Sequence, residues 1–248
     1  MGFWPVVLNV LRNSDIVLLL VDARMPEISR NSEIIEKVQN MKKKRLVLVF
    51  NKTDLVNKKS LDELKQEYSE AFFISANKKK GVEKLKATLE NMAENFERSS
   101  LRIGVVGYPN VGKSSLINLL APKARAKVSS VSGTTKKTQW IRSGKLRIMD
   151  SPGVIPFGDN KIQIGLTASK DPHKIKNPEK VAIRTIEYLM KKSPKTLEKF
   201  YDVKGEIACE IFETIGKKKG FLIKGGEVDE NRTAIKIIED WQKGKIKV

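Results

Sequence analysis

The nine residues Gly107-Tyr-Pro-Asn-Val-Gly-Lys-Ser-Ser115 constrain this chain more than any other stretch. They match the phosphate-binding pattern GxxxxGK[ST], which works only between the end of a strand and the start of a helix. Both flanks comply. Arg102–Gly107 is a short apolar run of strand length, and Ser114–Leu120 carries Leu116, Leu119 and Leu120 on one helical face. In such a loop glycines let backbone N–H groups close around phosphate oxygens, and the helix N-terminus adds its positive end. The expected phosphate contacts are therefore Asn110, Val111, Gly112, Lys113, Ser114 and Ser115. Lys113 is expected to bridge the β- and γ-phosphates, and Ser114 to ligate Mg²⁺.

A second motif selects the base. Asn51-Lys-Thr-Asp54 follows another strand end at Phe50. The Asp54 carboxylate can accept both N1–H and the N2 amino hydrogens of guanine, while the Asn51 amide can bond the other edge. Adenine offers neither donor and would leave a buried Asp54 unpaired. Lys52 can lay its alkyl stem along the base. Alone, four polar residues could be a turn; beside a phosphate loop they specify a guanine nucleotide. Ser75-Ala76-Asn77, after the next strand, can turn backbone N–H groups toward the guanine oxygen. Asp150-Ser-Pro-Gly153 completes the set, with Asp150 suited to Mg²⁺ and the Gly153 N–H to the γ-phosphate. Thr135, or else Thr134, suits a residue that reaches Mg²⁺ only with GTP bound, although a solvated Gly-Thr-Thr turn is the plainer reading.

The rest of the chain supplies a scaffold for these loops. Strands are expected at Ile16–Val21, Leu46–Phe50, Phe72–Ser75, Arg102–Gly107, Gln139–Arg142 and Lys145–Asp150. Helices are expected at Asn31–Met41, Leu61–Tyr68, Val82–Asn91 and Ser114–Leu120. The alternation predicts a doubly wound α/β sheet with one antiparallel edge hairpin turning at Ser143-Gly144. After Gly165 three amphipathic helices follow without convincing strands. One carries Ile186 and Leu189. The next carries Ile207, Ile211 and Ile215 and stops at Gly216, and the last starts from an Asp229 cap. The expected domains are residues 1–165 and a small all-helical domain over 166–248.

Charge points to a partner. A net charge of +19 favours a polyanion, although a lysine-rich surface serving solubility would give the same total. Distribution decides between them. Between Arg98 and Met149 stand 11 basic residues and no Asp or Glu, so nucleic acid is the expected partner. Lys123, Arg125, Lys127, Lys136 and Lys137 flank the Thr134/Thr135 pair and would couple such binding to the nucleotide. Lys78-Lys-Lys80 reads as a solvated turn. Trp140 and Trp241 could stack on bases, with Trp241 in register with Ile237 and Ile238 and so expected in the core. The single Cys209 is expected in the core too and excludes an intrachain disulfide, and no disulfide-linked partner is expected. No apolar run approaches a membrane span and no signal peptide is visible, so a cytoplasmic protein without a membrane partner is expected.

The motif order, with guanine motif first and phosphate loop later, resembles the circularly permuted GTPases of the YlqF/YawG type, a group that includes ribosome biogenesis GTPase A. Asp22-Ala-Arg24, Gly133-Thr-Thr-Lys136 with Gln139-Trp140, and Lys224-Gly-Gly226 with Asp229 resemble that family as well. The resemblance covers nearly the whole chain. It implies a Ras-like P-loop GTPase sheet in permuted order and a helical C-terminal domain that contacts RNA. It further implies GTP/GDP with Mg²⁺ and a role in maturing the large ribosomal subunit through ribosomal RNA. Because Asp150–Gly153 leads directly toward the helical region, hydrolysis is expected to be felt there.

Two departures bear on rate. Where Ras-like enzymes place a water-orienting Gln, this chain has Val154 and Ile155. Bacterial relatives carry a His near the N-terminus, where this chain has Phe3-Trp4-Pro5-Val6-Val7; its lone His173 stands elsewhere. Slow intrinsic hydrolysis is therefore expected. Asn110 suits GTPases that recruit K⁺, the plainer reading being a residue that shapes the loop. The expected function is a GTP hydrolase gating large-subunit assembly, with Lys113, Thr135, Gly153 and Asn110 in catalysis. The alternatives are an RNA-binding module with structural nucleotide, or a GTPase acting on another RNA such as tRNA.

Overall fold

The computed structural model describes residues 4–95, 99–122, 139–156, 165–167 and 170–248. The chain divides into two compact units, Met1–Gly158 and Asp159–Val248.

In the first unit α1 (Trp4–Asn13), β1 (Ile16–Asp22), α2 (Pro26–Ser29), α3 (Ser32–Gln39), β2 (Arg45–Asn51) and α4 (Lys58–Glu67) come first. Then follow β3 (Phe72–Phe73), α5 (Val82–Glu94), β4 (Leu101–Gly107), α6 (Lys113–Leu120), β5 (Gln139–Ser143) and β6 (Leu146–Asp150). The strands form one six-stranded sheet in the order β3-β2-β1-β4-β6-β5. Only β5 is antiparallel to its neighbour. β1 is buried along its whole length because its two side-chain rows enter different cores. Leu18 and Leu20 pack with Val49, Val105, Leu85 and Leu116, whereas Val17, Leu19 and Val21 pack with Val7, Ile34 and Phe50. That explains why the sequence shows continuous apolar runs rather than alternation.

Topology places the site. β1 leads to β2 on one side, while β4 lies against its other side, so the strand order reverses between β1 and β4. A doubly wound sheet opens a crevice at such a point, beyond the carboxyl ends of the strands. Asp22 is in register with Asn51, Leu20 with Gly107 and Val105 with Asp150, so those ends lie along one edge.

Several expected boundaries move. The β3 ladder stops at Phe73, because Ser75 leaves the sheet to bridge Lys80 and close the Lys78–Lys80 turn. The edge hairpin turns at Gly144-Lys145, one residue later than expected, with Ser143 paired to Leu146. α4 begins at Lys58 because the Asn57 side chain caps it, accepting from the Ser60 N–H at 3.0 Å. α1 was not anticipated; it lays Val7, Val10 and Leu11 onto the sheet, with Pro5 in the first turn, where its missing N–H costs nothing.

The second unit holds α7 (Pro178–Lys192), α8 (Lys195–Tyr201), α9 (Ala208–Lys218) and α10 (Glu230–Gln242). Trp241 is fully buried, as its register with Ile237 and Ile238 requires, and its indole N–H donates to the Leu166 carbonyl at 2.9 Å. Three expectations need correction. A fourth helix, α8, is present. α9 runs past Gly216, which is kept small by close packing against Val228, and ends at Gly220 (φ +66°). There the Phe221 and Gly220 N–H groups return to the Gly216 and Lys217 carbonyls. Cys209 is exposed rather than buried, since it lies one residue off the Ala208/Ile211 face.

Candidate functional site

The phosphate loop turns on two residues with positive φ, Asn110 at +58° and Gly112 at +100°. A Cβ on Gly112 would stand 2.2 Å from the Asn51 amide nitrogen, so no larger residue fits. α6 then starts at Lys113, aiming its first N–H groups into the loop. The buried Lys113 ammonium donates to the carbonyls of Tyr108 (2.7 Å) and Gly107 (3.2 Å). Burial pushes it down to about 8, the nearby Asp150 charge opposing. Such an ammonium, inside a ring of backbone groups, is placed to gain from phosphate charge.

Beside it the Ser114 hydroxyl donates to Asp150 Oδ2 at 3.0 Å. Two hard oxygen donors side by side, one of them a carboxylate, fit Mg²⁺, which takes few protein ligands and keeps the rest for water and phosphate. Gly153 comes so close to Pro109 that a Cβ would lie 2.6 Å from its Cα, and the Val154 N–H donates to the Gly107 carbonyl at 3.2 Å. The Asp-x-Pro-Gly segment thus rests directly on the phosphate loop. After it come buried Val154 and partly buried Ile155, neither with a polar side chain.

Asn51 makes two contacts that the sequence reading did not include. Its Oδ1 accepts from the Ala76 N–H at 2.9 Å and its Nδ2 donates to the Val111 carbonyl at 2.8 Å. One buried amide therefore ties the guanine motif to both the Ser75 loop and the phosphate loop. Asp54 is half-buried and accepts a 2.6 Å hydrogen bond from the Ser75 hydroxyl, which itself accepts from the Lys78 N–H at 3.0 Å. These contacts set the Asp54 carboxylate rather than leaving it to rotate. Ala76 is buried and Asn77 exposed at the turn.

Behind this loop lies an ion cluster that residue patterning did not reveal. Lys52 sits in the left-handed region (φ +64°), and its ammonium reaches Asp22 Oδ2 at 2.8 Å. Fully buried Arg24 holds the same carboxylate through Nε (3.0 Å) and Nη2 (2.9 Å). Burial would raise the Asp22 carboxyl, but Arg24 and Lys52 outweigh it and hold it far below the usual carboxylate range. Burial lowers Lys52, with Asp22 opposing. The signal for this cluster was the Asp22-Ala-Arg24 triplet at a strand end, whose partner only the β1–β2 register shows.

Lys113, Ser114, Asp150, Asn51, Lys52, Asp54 and Ser75 thus meet at one edge of the sheet. Thr134, Thr135 and the flanking Lys123, Arg125, Lys127, Lys136 and Lys137 lie outside the described residues. His173 belongs to the second unit, where its exposed ring approaches Glu239 at 3.5 Å.

Comparison with known proteins fits this geometry. The family model described as RsgA GTPase matches residues 7–159, and the one described as 50S ribosome-binding GTPase matches residues 102–218. Ribosome biogenesis GTPase A of Priestia megaterium is 36% identical, over 97% of this chain and 89% of its own length. An uncharacterized GTP-binding protein of Methanocaldococcus jannaschii is also 36% identical; this chain spans 65% of that relative's length. The fold matches that of GNP-bound YlqF from T. maritima, with a TM-score of 0.65 at 21% identity, over 98% of this chain and 96% of that one.

Proposed function

The chain belongs to the GTP-binding family of ribosome biogenesis GTPase A, with its motifs in circularly permuted order, and from that premise we propose that it hydrolyses GTP to GDP and phosphate to gate a step in assembly of the large ribosomal subunit. The observation that carries the reading is the meeting, at one sheet edge, of a buried lysine, a Ser–Asp oxygen pair and a braced Asp54.

Each residue has a distinct task. Asp54, oriented by Ser75, reads the two donors of guanine, and Asn51 holds the three loops in one frame around it. Lys113 exchanges two carbonyl contacts for phosphate oxygens, and the α6 N-terminus adds backbone N–H groups. Ser114 and Asp150, joined by Thr135, would hold Mg²⁺, which screens charge on the phosphate oxygens. The Gly153 N–H meets the γ-phosphate, so loss of that phosphate releases the segment resting on Pro109. Apolar Val154 and Ile155 leave the attacking water without a side-chain partner, which makes intrinsic turnover slow. A K⁺ ion recruited by Asn110 would add the missing positive charge, and the ribosomal partner would supply the rest.

Steady-state phosphate release in KCl, with and without purified large subunits, tests this reading. Stimulation of at least ten-fold by the subunits is expected, along with a slower rate in NaCl. Nucleotide binding without turnover under any condition would instead leave an RNA-binding module with structural nucleotide, and stimulation by tRNA alone would name another client.

A further inference from the structure

The β5–β6 hairpin has one face in the core, and on its other face Trp140, Arg142 and Arg147 are exposed. Ile141, Leu146 and Ile148 fill the inner face. On that face Trp140 lies opposite Met149, which is buried in the second core, and Arg142 lies directly opposite Arg147. The parallel register of β4 and β6 then sets Arg102 beside Arg147. Three arginines therefore stand in a row across three strands, with an indole two residues along the edge strand.

This arrangement is unfavourable for an isolated sheet. Like charges directly opposite one another on a sheet face destabilise it. Arg102 is compensated, since Asp15 accepts from its Nη2 at 2.9 Å and from its Nε at 3.1 Å. Arg142 and Arg147 are exposed, and among the described residues neither has a carboxylate partner. Trp140 is 40% exposed, whereas Trp4 and Trp241 are at 8% and 0%. A partly exposed indole beside two guanidinium groups without carboxylate partners combines the two features that bind unpaired nucleotides: a ring for stacking and flat cations for phosphates. Lys145 in the turn adds a further exposed positive charge. An acidic protein would satisfy the charge but would gain little from the flat, exposed part of the indole.

We propose that Trp140, Arg142 and Arg147 form a platform on the GTPase unit for a single-stranded or looped-out RNA segment, with a base stacked on Trp140 and phosphates on the two arginines. The inference rests on the RNA partner argued above and assigns it a surface separate from the helical unit. Gln139 is in register with Asp150, so the platform begins one residue from the carboxylate placed at the metal position.

The test uses the full chain and an unstructured RNA of about twelve nucleotides. RNA is expected to quench tryptophan emission, because Trp140 is the exposed indole. Trp140→Ala should lose the quench and weaken binding roughly ten-fold. The Arg142→Ala/Arg147→Ala double variant should flatten the slope of log K against log salt by about 0.7 per arginine. GDP affinity should stay unchanged in all variants, which reports folding apart from RNA contact. Unquenched RNA binding, with affinity and salt slope kept in the variants, would overturn the platform and leave the RNA partner standing. Absence of RNA binding with GDP binding intact would overturn both. Equal quenching and affinity with polyglutamate would overturn the RNA assignment in favour of an acidic protein.

Discussion

Asp22, Arg24 and Lys52 share one buried carboxylate behind the guanine loop, and the consequences are local and measurable. Replacing Asp22 by Asn leaves two cations without a counter-charge, and loss of about 3–5 kcal/mol is expected in denaturant unfolding. Because the Asp22 carboxyl titrates far below its unfolded value of about 3.9, its contribution is present above that value and is lost as pH falls through the folded one. Asp22→Asn should therefore remove part of the acid-limb slope. Lys113 acts in the opposite direction. Its folded value of about 8 lies below the unfolded value of about 10.4, so the unfolded chain holds more protons between them. Stability of the nucleotide-free protein should rise across that window by on the order of 3 kcal/mol more than in Lys113→Met. Saturating GDP should abolish the difference, since phosphate charge favours the ammonium. Lys113, Ser114, Asp54 and Asp150 were legible because their motifs occur in a fixed strand–loop–helix setting. The use of Asn51 as a brace was not, because both its partners lie in loops distant along the chain.

At the scale of elements, the ends of helices carry much of the local specification. The Asp229 side chain accepts from the Arg232 N–H at 2.9 Å and caps α10, as its position before an amphipathic run predicts. Asp229→Ala should cost about 1 kcal/mol, read as a lowered unfolding midpoint with the helical content intact. Gly220 closes α9 in the left-handed region, and Gly220→Ala should cost a comparable amount, about 1 kcal/mol, whereas the sequence pattern pointed to Gly216 as the stop. The two glycines differ in what surrounds them rather than in local sequence: Gly216 faces Val228 and Thr233, and Gly220 faces open space. Long periodic segments such as α7 and α10 were readable. α8, with only seven residues and a two-residue buried apolar contact in Leu197 and Tyr201, gave no period to detect.

For the whole molecule, all described nucleotide-site residues fall in the unit Met1–Gly158, which has its own two-sided core. A fragment ending at Gly158 should therefore fold and bind GDP within about three-fold of the full chain, measured by calorimetry; a hundred-fold loss would show that the site depends on the second unit. None of the helices among the described residues is long and apolar enough to cross a membrane. The sequence by itself determined the nucleotide class, the permuted order of the motifs and the strand-and-helix alternation, because each motif and element depends on neighbours within a few residues and their order is read directly along the chain. The core position of Trp241 was legible from its register with Ile237 and Ile238, but only the tertiary structure decided that Trp140 is exposed, that Cys209 faces outward, and that Asp22 joins Lys52 across two strands. The tertiary structure likewise decided that Arg142, Arg147 and Arg102 stand in one row. Those outcomes depend on register and on which face another element covers, and both are set by contacts between residues far apart in the chain.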